Sequence, residues 1–204
     1  MTPDSDRELV ERSLEHPAAF EGIFDRHYTA VHRYVGRRLS RACADDVAAQ
    51  VFLIAFDQRR RLLEQRPDCP VAPWLFGIAT NLVHRRRRDE RRQLRAYARL
   101  GVDVVEPDSP SESTDRLDAR RAGPAVARAL ASLSRDERDV LLLYALADLD
   151  YQGIAVALEI PIGTVRSRLF RARTRARRHL AGDAEHLNPT AGAQTEEPSC
   201  ETSI

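Results

Sequence analysis

The chain has 204 residues, with 32 basic against 31 acidic side chains and a formal net charge of +1. That length fits one or two domains, and the near-zero total excludes a uniformly basic or acidic protein while concealing strong local segregation of charge. No run of about 18 apolar residues exists to span a membrane and no apolar N-terminal segment suggests secretion, so a cytoplasmic protein without membrane insertion is expected.

The first part of the chain is helical in pattern. Phe20, Ile23, Phe24, His27, Tyr28, Val31, Tyr34 and Val35 keep three-four spacing and predict one long amphipathic helix. Residues 44–61 follow, with Val47, Val51, Phe52 and Ala55 on one face. Asp45 and Asp46 lie at the start of that helix, where the macrodipole favours negative charge. Two prolines in Arg66-Pro67-Asp68-Cys69-Pro70 mark a loop. A third helix restarts near Ala72-Pro73, carries Trp74, Leu75, Ile78, Ala79, Leu82 and Val83, and runs into an arginine block. Residues 81–99 hold eight arginines against Asp89 and Glu90.

Beyond that block, residues 101–118 carry six acids and one arginine among prolines and serines, which reads as a solvated linker. Ser134-Arg135-Asp136-Glu137 fits a capping box and opens a helix bearing Val140, Leu141, Leu143, Tyr144 and Leu146. Next, Tyr151, Ile154, Ala155 and Leu158 give a short helix one apolar stripe, and Asp150 is placed to cap it. Gly153 inside this helix should weaken it by roughly 0.5–1 kcal/mol relative to Ala. Pro161 breaks the pattern and starts another helix near Pro161 or Ile162, since proline is tolerated in a first turn.

In that last helix Val165, Leu169, Ala172 and Ala176 form the buried stripe. Arg166, Ser167, Phe170, Arg171 and Thr174 take the opposite side. Residues 163–178 hold seven arginines and no acid, a density suited to phosphate. An exposed phenylalanine between arginines suits a groove, where Arg can bond guanine and an apolar ring can meet a thymine methyl. The unit 150–178 therefore reads as a DNA-binding helix-turn-helix. After Gly182 the tail has five acids and no basic side chain except one histidine, and is expected to be disordered.

Cys43, Cys69 and Cys200 are widely spaced with no C-x-x-C pair, so no disulfide framework or zinc signature is present. The histidines show no H-E-x-x-H context. No nucleophile-base pair or Gly-rich phosphate loop points to an enzyme, and neither metal nor cofactor is expected.

Three blocks then carry a family resemblance: Ala44-Asp45-Asp46-Val47-Ala48-Ala49-Gln50-Val51-Phe52-Leu53, Ala72-Pro73-Trp74-Leu75-Phe76-Gly77-Ile78-Ala79-Thr80-Asn81-Leu82, and Gly163-Thr164-Val165-Arg166-Ser167-Arg168-Leu169-Phe170-Arg171-Ala172. In order and spacing they resemble the signature blocks of extracytoplasmic-function (ECF) sigma factors, the smallest members of the sigma-70 family. The resemblance spans about residues 15 to 180. It implies an all-α fold of two small helical domains joined by an acidic flexible linker. The expected boundaries are 1–100 for sigma domain 2, 101–122 for the linker, 123–181 for sigma domain 4 and 182–204 for the acidic tail.

The same resemblance implies a sigma initiation factor that binds core RNA polymerase, directs it to promoter DNA and stabilises the open minus-10 region. Asp46, Gln50 and Phe52 would meet the clamp coiled coil of the β′ subunit, and apolar residues of the 134–146 helix the β flap. Asn81, Arg85, Arg86, Arg88 and Arg92 would hold the minus-10 strand, and Arg166, Ser167, Phe170 and Arg171 the minus-35 element. An anti-sigma factor is a further partner that the resemblance brings. Composition alone also allows a stand-alone helix-turn-helix repressor or activator, although no dimerisation heptad is visible.

Overall fold

A computed structural model describes residues 4–99 and 117–186, and every regular element among them is helical. In chain order these are α1 (Asp6–Arg12), a 3-10 turn (Pro17–Phe20), α2 (Glu21–Gly36), α3 (Arg41–Gln65), α4 (Val71–Arg99), α5 (Leu117–Ser132), α6 (Arg135–Leu146), α7 (Tyr151–Leu158) and α8 (Ile162–His186). Helices α1–α4 form an N-terminal bundle and α5–α8 a C-terminal one. The two pack on each other through α4 with α7 and α2 with α6.

In the N-terminal bundle the predicted stripes meet. Ile23, Val31 and Val35 of α2 are fully buried against Val51 and Ala55 of α3 and Leu75, Ala79 and Val83 of α4. The ring of Tyr34 stands edge-on to Phe76 at 5.4 Å. Its hydroxyl shares a 2.7 Å hydrogen bond with Thr80 Oγ1, so the polar tip of a fully buried residue is satisfied. Burial pushes this phenol above its ordinary range, against the opposing pull of Arg38 and Thr80.

Helix α1 has no counterpart in the sequence reading because a seven-residue helix with only Leu9 and Val10 buried is too short to show a period. Local chemistry forms it instead. Ser5 and Glu8 make a reciprocal capping box, while Asp6 pairs with Arg26 at 2.9 Å and His27 at 2.6 Å on α2.

Two expected boundaries move. Helix α5 begins at Leu117, inside the range assigned to the linker, because residues 118–122 are charged but consist largely of good helix formers. Likewise α8 continues to His186, past the expected end at 181, since Ala181 and Ala184 favour helix and no proline intervenes before Pro189. The rest of the acidic linker and tail lies outside the described residues.

The C-terminal bundle buries Val140 and Leu143 of α6, Ile154 of α7, and Val165, Leu169 and Ala172 of α8. Fully burying Leu143, Ile154 and Leu169 contributes about 1.5–3 kcal/mol each. The Ser134–Glu137 capping box forms as expected, and Asp150 Oδ1 accepts from Gly153 N at 2.6 Å. Arg138 closes the end of α5: its Nε donates to Leu130 O at 2.8 Å and its terminal nitrogen to Ala131 O at 3.1 Å. Between α7 and α8 the chain turns at Glu159, whose φ of 55° is left-handed.

Glycines set how closely the bundles approach. A Cβ at Gly77 of α4 would lie 2.8 Å from the carbonyl oxygen of Ala157 on α7, and one at Gly153 would lie 3.3 Å from Pro73 Cγ at the start of α4. Gly153, which costs the isolated helix stability, thus permits close packing of α7 onto α4. Because the obstacle at Gly77 is backbone, Gly77→Ala should force α4 and α7 apart while leaving each bundle's own core intact. The expected outcome is a larger radius of gyration by small-angle X-ray scattering with unchanged helical circular dichroism. Loss of helicity at the same temperature would show instead that neither bundle stands without the other.

Candidate nucleic-acid interface

The outer face of α8 is built as the helical wheel required. Val165, Leu169 and Ala172 turn inward, leaving Arg166, Ser167, Phe170 and Arg171 exposed. Phe170 is 72% exposed, more than any other large apolar side chain among the described residues. Ser167 Oγ donates to Thr164 O at 3.0 Å. Arg166 has no ion-pair partner among the described residues, whereas Arg171 Nε lies 3.7 Å from Glu137.

Inward-leaning arginines of α8 are tied down. Arg175 pairs with Glu137 at 2.8 Å, Arg168 with Asp136 at 2.6 Å, and the Arg173 guanidinium sits 4.5 Å from the centre of the Tyr144 ring. Burial raises the Glu137 pKa, but the Ser134 hydrogen bonds and the charges of Arg175 and Arg171 outweigh it and hold the carboxyl below its ordinary range. The capping carboxylate therefore also anchors α8, leaving Arg166 and Phe170 unengaged at the surface.

On α4, Asn81, Arg85, Arg86, Arg88 and Arg92 are exposed. Arg85 and Arg88 have no partner among the described residues, while Arg86 lies 3.4 Å from Glu90 and Arg92 3.8 Å from Asp89. Asn81 faces the seam between the bundles. It lines a cavity of about 210 Å³ together with Thr80, His84, Asp139, Glu159 and Arg168. Periodicity along one helix could not reveal that neighbourhood, because most of it comes from α6, the end of α7 and α8.

The seam is locked by a buried charge cluster. Arg38, just past α2, is 4% exposed; it donates to the Tyr34 hydroxyl and pairs with Asp139 of α6, itself 3% exposed. His84 Nε2 lies 2.8 Å from the other Asp139 oxygen. Arg135 bonds His84 Nδ1, while His84 Nε2 faces both Asp139 and, at 3.3 Å, the Arg38 guanidinium. Burial alone would raise the Asp139 pKa; the hydrogen bond from His84 and the charge and hydrogen bond of Arg38 reverse this and hold it below the ordinary carboxylate range.

On α3, Asp46 and Gln50 are exposed on one side. Phe52 is not with them. It is 5% exposed, its ring 4.9 Å from Phe24 and 6.1 Å from Tyr28, so it belongs to the core and offers no surface. Leu53, 66% exposed, takes that place at i+7 from Asp46 and i+3 from Gln50. Its signal was in the sequence: an apolar residue out of phase with the Val47, Val51 and Ala55 stripe.

The Sigma-70 region 2 family model matches residues 23–93, and the Sigma-70, region 4 model matches residues 124–180. RNA polymerase sigma-H factor of Pseudomonas aeruginosa is 32% identical over 181 residues, covering 85% of this chain and 92% of that protein. ECF RNA polymerase sigma-E factor of Escherichia coli K12 is 31% identical over 179 residues, covering 83% and 91%. The chain belongs to the ECF sigma factors of the sigma-70 family. This sigma factor also shares its fold with CnrH, solved in complex with the cytosolic domain of CnrY, at a TM-score of 0.64 and 24% identity over 88% of this chain and 99% of that one. A second fold relative is the sigma factor RpoE of Bartonella quintana, solved with the anti-sigma factor NepR, at 0.63 and 22% over 81% and 99%. As a sigma initiation factor, the chain binds core RNA polymerase and directs it to promoters.

The Asp139 cluster gives this sigma factor a defined acid limb. A carboxyl whose folded pKa is depressed stabilises fully above the unfolded value of about 3.9, and that stabilisation is lost as pH falls through the folded value. Asp139→Asn leaves Arg38 buried without its counter-charge and should cost about 3–5 kcal/mol at pH 7. Urea unfolding at pH 7 and in steps down to pH 3 checks both points: the variant should start less stable and lose less on acidification. Parallel acid limbs would mean that Asp139 is not their source.

Proposed function

We propose that this sigma factor divides promoter recognition between α8 and α4. Arg166, Ser167, Phe170 and Arg171 read the minus-35 duplex in its major groove, with Arg166 free to bond a base edge and Phe170 to meet thymine methyls. Asn81 holds an unstacked base of the opened minus-10 strand, while Arg85, Arg86, Arg88 and Arg92 grip its backbone. The observation that carries this reading is the exposure of Phe170 beside Arg166, which has no ion-pair partner among the described residues, on an otherwise anchored helix.

Asp46, Gln50 and Leu53 form the face offered to the β′ clamp coiled coil, with Phe52 supporting the helix from beneath. Tyr144, 40% exposed on α6, marks the side facing the β flap. An anti-sigma factor is a further proposed partner, supported by the complexes in which the two fold relatives were solved. No helix among the described residues is long and apolar enough to cross a membrane, which accords with action in the cytoplasm. The chain works by binding and placing other molecules rather than by catalysis of its own.

The closed arrangement bears on how it engages DNA. Elements centred at minus 10 and minus 35 lie about 25 base pairs apart, or roughly 85 Å at 3.4 Å per pair. Asn81 and Arg168 line one cavity of about 210 Å³. Reading both elements at once therefore requires α4 and α7 to part, and the two bundles to move as separate bodies.

Transcription from core polymerase freed of other sigma factors tests the function directly. Adding the chain should yield discrete start sites that share one two-part upstream motif; random initiation would remove the assignment. Arg166→Ala should cost about 1–3 kcal/mol at promoters with the preferred minus-35 base and little at promoters already mismatched there. Uniform weakening on every sequence would make it a phosphate contact. Leu53→Glu should reduce polymerase affinity at least tenfold in a pull-down titration while leaving binding of the isolated chain to minus-35 duplex unchanged.

A further inference from the structure

A second cavity of about 210 Å³ lies on the seam, bounded by α4 and α6. Its wall contains Arg38, Arg87, Arg88, Arg91, Arg135 and Arg138, and no carboxylate among the described residues. The first four belong to the N-terminal bundle and the last two to the C-terminal one. Among the described residues, the only acid that partners any of these guanidiniums is Asp139, which pairs with Arg38 from behind the wall.

Three of the other five are held by carbonyl oxygens or an imidazole ring. Arg87 donates to Arg38 O at 2.8 and 3.2 Å, Arg138 to the carbonyls ending α5, and Arg135 to His84. Arg88 and Arg91 have no partner among the described residues. Arg38 Nε is buried without a hydrogen-bond acceptor. Half-burial and the neighbouring charges of Arg38, Arg138 and Arg91 press against the charged state of Arg87, and burial with Arg38 does the same to Arg138. Concentrated like charge of this kind costs folding free energy unless an anion offsets it.

Guanidinium forks match phosphate oxygens in a bidentate way, and several converging forks suit a group with several negative charges close together. A cavity below the 300–1,000 Å³ usual for drug-sized ligands has room for linked phosphates rather than for a bulky organic body. We propose that this cavity binds a compact polyphosphate, either free or as the phosphate chain of a nucleotide, and that its occupancy holds the two bundles closed. Because both bundles supply arginines, the ligand binds the closed form more tightly than the open one and shifts the population toward closure. Occupancy also engages Arg88, proposed above to grip the minus-10 strand, so the ligand and promoter DNA compete. Binding itself does not depend on the proposed promoter contacts, and only this competition rests on them.

Calorimetric titration of the full chain at fixed ionic strength tests the site without polymerase or DNA. Inorganic tripolyphosphate should saturate one site per chain and bind at least tenfold more tightly than orthophosphate. Arg91→Gln, at an exposed side chain that anchors nothing, should weaken tripolyphosphate at least fivefold, and Arg135→Gln on the opposite bundle should do the same. Arg60→Gln with Arg61→Gln on α3 removes two charges elsewhere and should leave affinity within twofold. ATP at matched charge separates the sources: tighter binding than tripolyphosphate assigns a nucleotide, equal binding the phosphate chain alone, and either supports the site. Unsaturable binding, or equal loss in the α3 variant, would mean an adventitious ion only. Loss in Arg91→Gln with full retention in Arg135→Gln would overturn the bridging of the bundles. A fluorescence-transfer pair on α3 and α8 should report reduced opening as tripolyphosphate saturates, and an unchanged distribution would overturn closure.

Discussion

The pairing of Arg38 with Asp139 organises this molecule. Both side chains are almost wholly removed from water, which is costly for either charge alone. Asp139 is stabilised only when the C-terminal bundle lies on the N-terminal one, and Arg38 is held ready by the Tyr34 hydroxyl, which is itself fixed through Thr80 to α4. The core of one bundle is thereby coupled to the position of the other. A general hydrophobic attraction would permit many relative orientations; a buried pair with His84 as third member permits one.

Around that pair, the seam has two unlike components. Gly77 on Ala157 and Pro73 on Gly153 bring backbones together and require shape to match. The arginines of α4 and α6, by contrast, repel across the same seam. Close packing and Asp139 hold it shut against that repulsion, so the closed state is a balance of opposed terms rather than the sum of favourable ones. Such a balance is what a protein needs if the two surfaces proposed to meet DNA must later separate over a long distance, since a modest input can tip it.

Much of the local structure was legible from residue spacing. The stripes of α2, α3, α4, α7 and α8 follow the three-four rule, and the caps at Ser134 and Asp150 form where Ser-x-x-Glu and the isolated aspartate indicated. The outer face of α8 was equally plain, because a helix that buries Val165, Leu169 and Ala172 can only present Arg166, Ser167, Phe170 and Arg171 outward. Failures came where the period was ambiguous or absent. Phe52 fits both the buried stripe and its edge, and aromatic neighbours on α2 drew it inward, leaving Leu53 outside. Helix α1 is fixed by a capping box and two ion pairs to α2, neither of which is a repeating pattern. Charge-rich residues at 117–122 resembled a linker in composition although their helix propensity is good.

By itself, then, the sequence determined which segments are helical, which face of each is apolar, where charge is concentrated, and the family to which those blocks belong. These are local properties, set by side chains within a few turns of one another. Only the tertiary structure decided that Arg38 meets Asp139 across 101 residues, that Gly77 lies on the backbone of Ala157, and that Asn81 turns into a seam shared with Arg168. Such pairings depend on how two bundles dock, a matter of shape and burial between distant segments. No periodicity along a single helix encodes it.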